Sequence, residues 1–405
     1  MDNQNQRNLI LAVALSAVIL FGWDFGLRYF YPNSDKPAPV AQASAPASGA
    51  VAADPAAPVK PTREGGLITE ADKALEAKDL VTALNPASRV AIDAPGLVGS
   101  INLVGGVVDD LSTQNHTAAL DKGSEKQRIF SPAGTPAQHY AQFGWSGQGA
   151  AVPNAGTVWT APAGARLTPK TPVTLTWGNG QGQTFSLTYA IDDAYMLTVT
   201  QTVANPAGQP VRITPFALIN RTDKTASLDS YNVHSGPFGA FDGSVSFNPN
   251  YSDVVEAGEM PNPGKTDWVG FTDVYWMSTL IPDKAGATST FRALGRGIYR
   301  ADLVYQPADI AGGSALTRTT RLFAGAKEST LLDRYEAEGI QHFGLAIDWG
   351  WFRWFEKPIF LLLNKLFSLA GNFGVAIILL TLIVRGLMFP IAQKQFASMA
   401  ARRGI

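Results

Sequence analysis

The stretch VTLTWGNGQGQTFSLTYAIDDAYMLTVTQTVAN, residues 173–205, decides the fold class. Val173, Leu175 and Trp177 alternate with threonines, and Gly178-Asn179-Gly180 is turn chemistry. Phe185, Leu187, Tyr189 and Ile191 alternate again, Asp192-Asp193 turns, and Leu197, Val199 and Val203 follow. Asn205-Pro206 through Gly208 reads as a further turn before Val211 and Ile213. Strict period two between turn signals predicts an antiparallel meander with one buried face. Similar signals recur over Trp268 to Ile281 and Ser289 to Tyr305. Residues 80–340 therefore read as one all-β domain, a large sandwich.

Outside this block the chain changes character. Leu9 to Trp23 is an apolar run behind Arg7, and Phe25 to Tyr31 resumes it around Arg28. Residues 1–31 read as an uncleaved transmembrane anchor. The A-x-A pairs at Ala41/Ala43 and Ala45/Ala47 lie far beyond the apolar run, behind Tyr29, Phe30, Tyr31 and Pro32, a poor place for signal-peptide cleavage. Residues 32–79 form an Ala/Pro-rich linker with too few large apolar residues to fold on their own, although Gly66 to Leu84 carries weak helical spacing.

After the sandwich, residues 341–368 read as an amphipathic helix. Asp348 is the expected N-cap, and Pro358 marks a start or a kink. Arg353, Lys357 and Asn364 fall on one stripe, while Trp349, Trp351, Trp354 and Phe355 lead the remainder. Aromatics beside a narrow charged stripe suit a helix lying in a membrane interface, the stripe facing water or headgroups. Residues 369–392 are almost wholly apolar and about 30 Å long as a helix, enough to cross a hydrocarbon core. Residues 393–405 open a polar segment with Lys394, Arg402 and Arg403. Arg385 interrupts the apolar span, at a translocon cost of about 2.5 to 3.5 kcal/mol at mid-helix. Two readings stay open: snorkelling to the nearer surface, or a polar cavity within the membrane with Thr381 one turn earlier on the same face. Pro390 removes a helical donor and would crowd the carbonyl of Gly386, so a kink or exit is expected there.

Composition sets limits. Charged residues make up 16% of the 405, against about 25% in a typical soluble protein, which fits a polar domain joined to membrane segments. A net charge of −1 gives no reason to expect nucleic acid. The absence of cysteine excludes disulfides, thiolate chemistry and a lipidated N-terminal cysteine. None of His116, His139, His234 and His342 sits in a metal or nucleophile motif. Asp109, Asp110, Asp192 and Asp193 read as turn residues. The sandwich is therefore expected to be non-catalytic, without a histidine and carboxylate converging in a concave pocket. Lys and Arg flank the C-terminal span equally, so charge alone leaves orientation open; if both apolar segments span, the sandwich lies on one side and both ends on the other.

NFGVAIILLTLIVRGLMFPI near the C-terminus, and less sharply MDNQNQRNLILAV, Gly105-Gly106-Val107-Val108 and residues 184–205, resemble the YidC/Oxa/Alb family of membrane insertases in its Gram-negative form. The resemblance implies a periplasmic sandwich similar in fold to galactose mutarotases but without their catalysis, and an inner-membrane, multi-pass topology with cytoplasmic termini. It implies that Arg385 is the positive residue of a hydrophilic groove and that Thr381 lines the path of the incoming segment. The implied work is insertion and folding of nascent inner-membrane proteins, alone or with Sec translocon components, among membrane lipids and without a cofactor. The family core has five transmembrane helices, and this sequence ends after the first of them, so the resemblance implies part of a longer protein. The competing reading is a membrane-anchored periplasmic carbohydrate-binding or sugar-epimerising protein.

Overall fold

The computed structural model describes residues 65–118, 123–206, 209–227, 233–350 and 352–403, the last thirteen of these by backbone only. They belong to one compact unit, Pro58–Ile405. The expected anchor (1–31), most of the linker and Trp351 lie outside the described residues.

Helix α1 (Glu70–Ala83) comes first. Thr69 caps it, its hydroxyl accepting the Asp72 N–H at 3.0 Å and so satisfying one orphan donor of the first turn. Glu76 is buried beneath the helix and accepts the Ala137 N–H at 2.8 Å, while Asp72 pairs with Lys224 at 3.0 Å. These ties fix α1 to the sandwich. The boundary expected at residue 79 therefore falls inside a docked helix.

Two sheets face each other. One runs in the order Glu259–Pro261, Ala287–Gly295, Ile298–Tyr305, Val211–Thr222, His139–Gln148, Val107–Thr117, Leu97–Asn102, Arg89–Asp93 and Arg166–Leu167, with Ala308–Ile310 and Lys126–Phe130 alongside. The other runs Ser244–Ser246, Gly236–Phe241, Thr266–Thr272, Trp276–Ile281, Ser314–Ala326, Met196–Asn205, Thr184–Ile191 and Val173–Gly178. The last three strands are the expected meander, with Val173 opposite Tyr189 and Phe185 opposite Val203. Its alternation is realised in space: Phe185, Leu187, Tyr189 and Ile191 are buried, with less buried residues between them. The next strand does not continue it. Val211–Thr222 crosses to the opposite sheet and pairs with His139–Gln148. Period two identifies a strand with a buried face; both sheets offer one, so it does not choose the partner.

The inner faces pack Trp145, Phe185, Leu187, Leu197, Phe271, Phe291 and Phe323 into one core. Polar ties cross it. Gln201 donates to the carbonyls of Gly144 at 2.8 Å and Phe216 at 3.2 Å in the facing sheet, and the Tyr189 hydroxyl donates to the Gly106 carbonyl at 2.7 Å. Gly106 has φ +63, and a Cβ there would lie 2.8 Å from Leu187 and 3.0 Å from the Trp159 indole nitrogen, so no larger residue fits that turn.

Asp109 and Asp110 correct the turn reading. Both are buried within the strand Val107–Thr117. Asp109 pairs with Arg89 across the sheet, and Asp110 accepts from Arg128 and the Ser100 hydroxyl, each at 2.6 Å. Burial pushes the Asp109 carboxyl up, and the adjacent Arg89 guanidinium opposes that shift. Asp192 does sit in a turn, accepting from the N–H groups of Ala194 and Met196.

A short helix, α2 (Tyr251–Ala257), packs on the first sheet, and α3 (Ser329–Ala337) follows the last strand. Then come α4 (Arg353–Ala370) and α5 (Phe373–Arg403), joined at Gly371, which has φ +63 and donates to the Phe367 carbonyl. Phe367 and Phe373 meet edge to face across this corner, 5.8 Å apart.

Candidate functional site

Two places could carry function: the α4–α5 corner and a cavity under α1. In α5, Phe373–Pro390 is the one helix among the described residues long and apolar enough to cross a membrane. Ile378, Leu382, Leu387 and Phe389 are exposed, as lipid-facing residues are. Thr381 donates its hydroxyl to the Ile377 carbonyl at 2.8 Å, the local bond that lets threonine sit in an apolar helix. Arg385 is exposed four residues later and has no hydrogen bond or ion pair among the described residues. Pro390 lies inside the helix, which runs on to Arg403; the exit expected at Pro390 does not occur. Proline costs one donor, the one the Gly386 carbonyl would accept, and the turns on either side continue the helix.

The α4 start also differs from expectation. The helix begins at Arg353 with Phe352 before it, and Pro358 falls within it. Asp348 does not cap α4; its carboxylate accepts the Gly350 N–H at 2.9 Å, two residues on, in the preceding turn. Arg353, Lys357 and Asn364 do share one side of the helix, and two of them, Lys357 and Asn364, face the sandwich. Lys357 donates to the Asp333 carboxylate of α3 at 2.7 Å, and Asn364 lines a cavity against the sandwich. The reason is the acidic partner on α3, which periodicity within α4 cannot report. Exposed apolar side chains stand beside this stripe, Trp354 at 75% exposure and Leu361, and away from it, Phe355 and Leu369.

The cavity under α1 has a volume of about 540 Å³ and is lined in part by Glu76, Arg128, Ser131, His139, Arg221 and Asp273. The expectation that no histidine and carboxylate converge in a pocket is thus corrected. Their commitments explain why the pair is not a free acid and base. The His139 ring nitrogen Nε2 lies 2.8 Å from the Ser278 hydroxyl, and its ring packs 4.6 Å from Phe130. Burial, helped by the Arg221 cation, holds His139 well below the ordinary histidine range, so it stays neutral. Asp273 pairs with Arg221 and accepts from the Ser227 N–H at 2.9 Å and the Ser235 hydroxyl at 2.8 Å. His116 contacts Glu328 at 3.0 Å, and His234 contacts the Pro237 carbonyl. Among the described residues no group of three or more His, Asp and Glu is placed to hold a metal.

A β-sandwich whose last strand leads through a short helix into an amphipathic helix and then an apolar one defines a class: a large polar domain built onto a membrane segment. The comparisons give the family. The YidC periplasmic domain family matches residues 89–362. The membrane protein insertase YidC of Zymomonas mobilis subsp. mobilis is 38% identical over 407 residues, covering 99% of this chain and 67% of that protein. That of Dinoroseobacter shibae is also 38% identical, with the same coverages. That of Ruegeria sp. (strain TM1040) is 44% identical over 75% of this chain and 52% of its own length. The chain belongs to the YidC family of membrane protein insertases and spans about two thirds of the length of the first two relatives. Among solved structures, a galactose mutarotase related enzyme from Lactobacillus acidophilus overlaps 58% of the chain at 7% identity and a TM-score of 0.41. A putative aldose 1-epimerase from Escherichia coli K12 overlaps 59% at 8% identity and a TM-score of 0.36.

Sequence reasoning missed Lys327 and Asp333. Each matters through a partner far away in the chain, and neither stands in a motif, so no local signal marks them.

Proposed function

We propose that this chain is the sandwich-bearing part of an insertase that receives hydrophobic segments of nascent inner-membrane proteins along α5, beside Thr381 and Arg385. One observation carries the reading: a guanidinium, exposed and without a hydrogen bond or ion pair among the described residues, sits one turn from a threonine on a helix otherwise presenting apolar side chains. A fixed cation in a low-dielectric groove attracts acidic or polar residues of a passing segment, and its donors hold cavity water. Bond-making chemistry is not part of this work. Its task is to lower the barrier for moving polar atoms into lipid, and it requires no cofactor.

Residues 1–31 and 373–390 are taken as two spans, with the sandwich in the periplasm, Sec translocon components as partners and lipids around α4. Family membership and the exposed apolar side chains of α4 and α5 support this topology. Gly386 and Pro390 are taken as the place where α5 bends. The test is an insertion assay in the full-length protein. Arg385→Lys keeps most activity, and Arg385→Ala loses first those substrates with charged translocated segments. If Arg385→Leu inserts every substrate as well as the parent does, the residue only snorkels and the groove role is wrong.

A further inference from the structure

A second cavity, of about 550 Å³, lies between the sandwich and α4. Lys327 stands in its wall. Its ammonium donates to the Thr272 hydroxyl at 3.1 Å and has no carboxylate within ion-pair distance among the described residues. Burial pushes this lysine down to about 8, which is the signature of a cation short of a counterion. The carboxylates nearby are engaged elsewhere: Asp273, next to Thr272, pairs with Arg221. Glu328 holds Tyr195 at 2.8 Å and His116 at 3.0 Å, and Asp348 holds the Gly350 N–H.

The first turn of α3 opens on the same cavity. Glu328 precedes it without capping it, so its leading N–H groups have no side-chain acceptor. Among the described residues the Ser329 hydroxyl, in a residue 7% exposed, has no partner, and neither does the buried indole N–H of Trp349. A part-buried ammonium, an uncapped helix start and two donors unmatched among the described residues gather on one cavity the many donors that a phosphate prefers. Beyond the polar lining of His234, Glu328, Thr330, Asp348 and Asn364, the wall is apolar: Phe247, Val274, Ile347 and Phe360, the last 5.5 Å from the Trp349 ring. That wall would be wasted on a free ion. From Phe360 it leads to the exposed apolar side chains of α4.

We propose that this seam binds the phosphodiester headgroup of a membrane glycerophospholipid. The phosphate sits against Lys327 and the start of α3, and the glycerol and acyl chains pass along α4. The assignment of lipid rather than soluble phosphate as its source rests on α4 lying in the membrane interface.

The experiment uses the full chain in detergent and scores retained lipid by native mass spectrometry. The wild type retains one added diacyl phosphatidylethanolamine and does not retain diacylglycerol, which has the same tails without phosphate. Lys327→Met weakens retention at least tenfold, Ser329→Ala a few-fold, and Lys327→Arg restores it. Circular dichroism and melting temperature verify that each variant is folded. Equal retention of diacylglycerol, or phospholipid retention unchanged in folded Lys327→Met, overturns the site. Displacement of the lipid by inorganic phosphate at equal concentration overturns the lipid source. The chain has no cysteine, so Trp354→Cys can carry a fluorophore in vesicles holding lipid-borne quenchers. Quenching there without lipid retention condemns the headgroup site alone, whereas no quenching condemns the interfacial placement of α4.

Discussion

Arg221→Met removes the cation from the pair that closes the floor of the α1 cavity. Arg221 and Asp273 are 3% and 7% exposed, so the surface case, in which an ion pair contributes about 0–1 kcal/mol, does not apply. Removing one partner of a buried pair costs about 3–5 kcal/mol, because the remaining charge stays desolvated. Asp273 keeps the Ser227 and Ser235 donors, which moves the expected loss toward the lower end. At about 2–4 °C per kcal/mol for a domain of this size, the melting temperature falls by roughly 6–12 °C for a loss near 3 kcal/mol. Adding Asp273→Asn to Arg221→Met should recover at least half of the loss. The amide oxygen still accepts from both donors, and no charge is buried. The assay is urea unfolding of the full chain in detergent, followed by tryptophan fluorescence, with thermal melts alongside. A single-variant loss below about 1 kcal/mol, or a double variant no better than the single, would refute the argument that the charge of Asp273 depends on Arg221.

His139 is held neutral in the folded state and takes up a proton near 6.5 when unfolded, so stability should fall as pH drops below that value, at up to about 1.4 kcal/mol per pH unit. His139→Gln should flatten this slope between pH 7.5 and 5.5 in urea titrations; an unchanged slope would assign it to other groups. Lys357→Met and Asp333→Asn should couple by about 1 kcal/mol in a double-mutant cycle, the modest value of a half-exposed pair. Spin labels at Glu338→Cys and Lys365→Cys should show a broader distance distribution when that pair is cut, and an identical distribution would mean that the pair does not hold α4. Leu361→Asp with Leu369→Asp should release α4 from vesicles, because both side chains are apolar and exposed. Continued protection of α4 from protease in that variant would contradict the interfacial placement.

The sequence by itself determined the all-β domain, the run of turns through residues 173–205, the C-terminal apolar span and the odd placement of Arg385 within it. These are local patterns: alternation, helical spacing and a charge among apolar neighbours are written in consecutive residues. Only the tertiary structure decided which sheet receives Val211–Thr222, that Asp109 and Asp110 are buried in a strand, and that His139 shares a cavity with Asp273. It also turned Lys357 of α4 toward α3, since Asp333 lies 24 positions before Lys357 and nothing between them announces the pair. The physical reason is the same throughout. Period and propensity state which side of an element is apolar, but what that side meets depends on contacts between distant segments, which form only when the sheets close on one another.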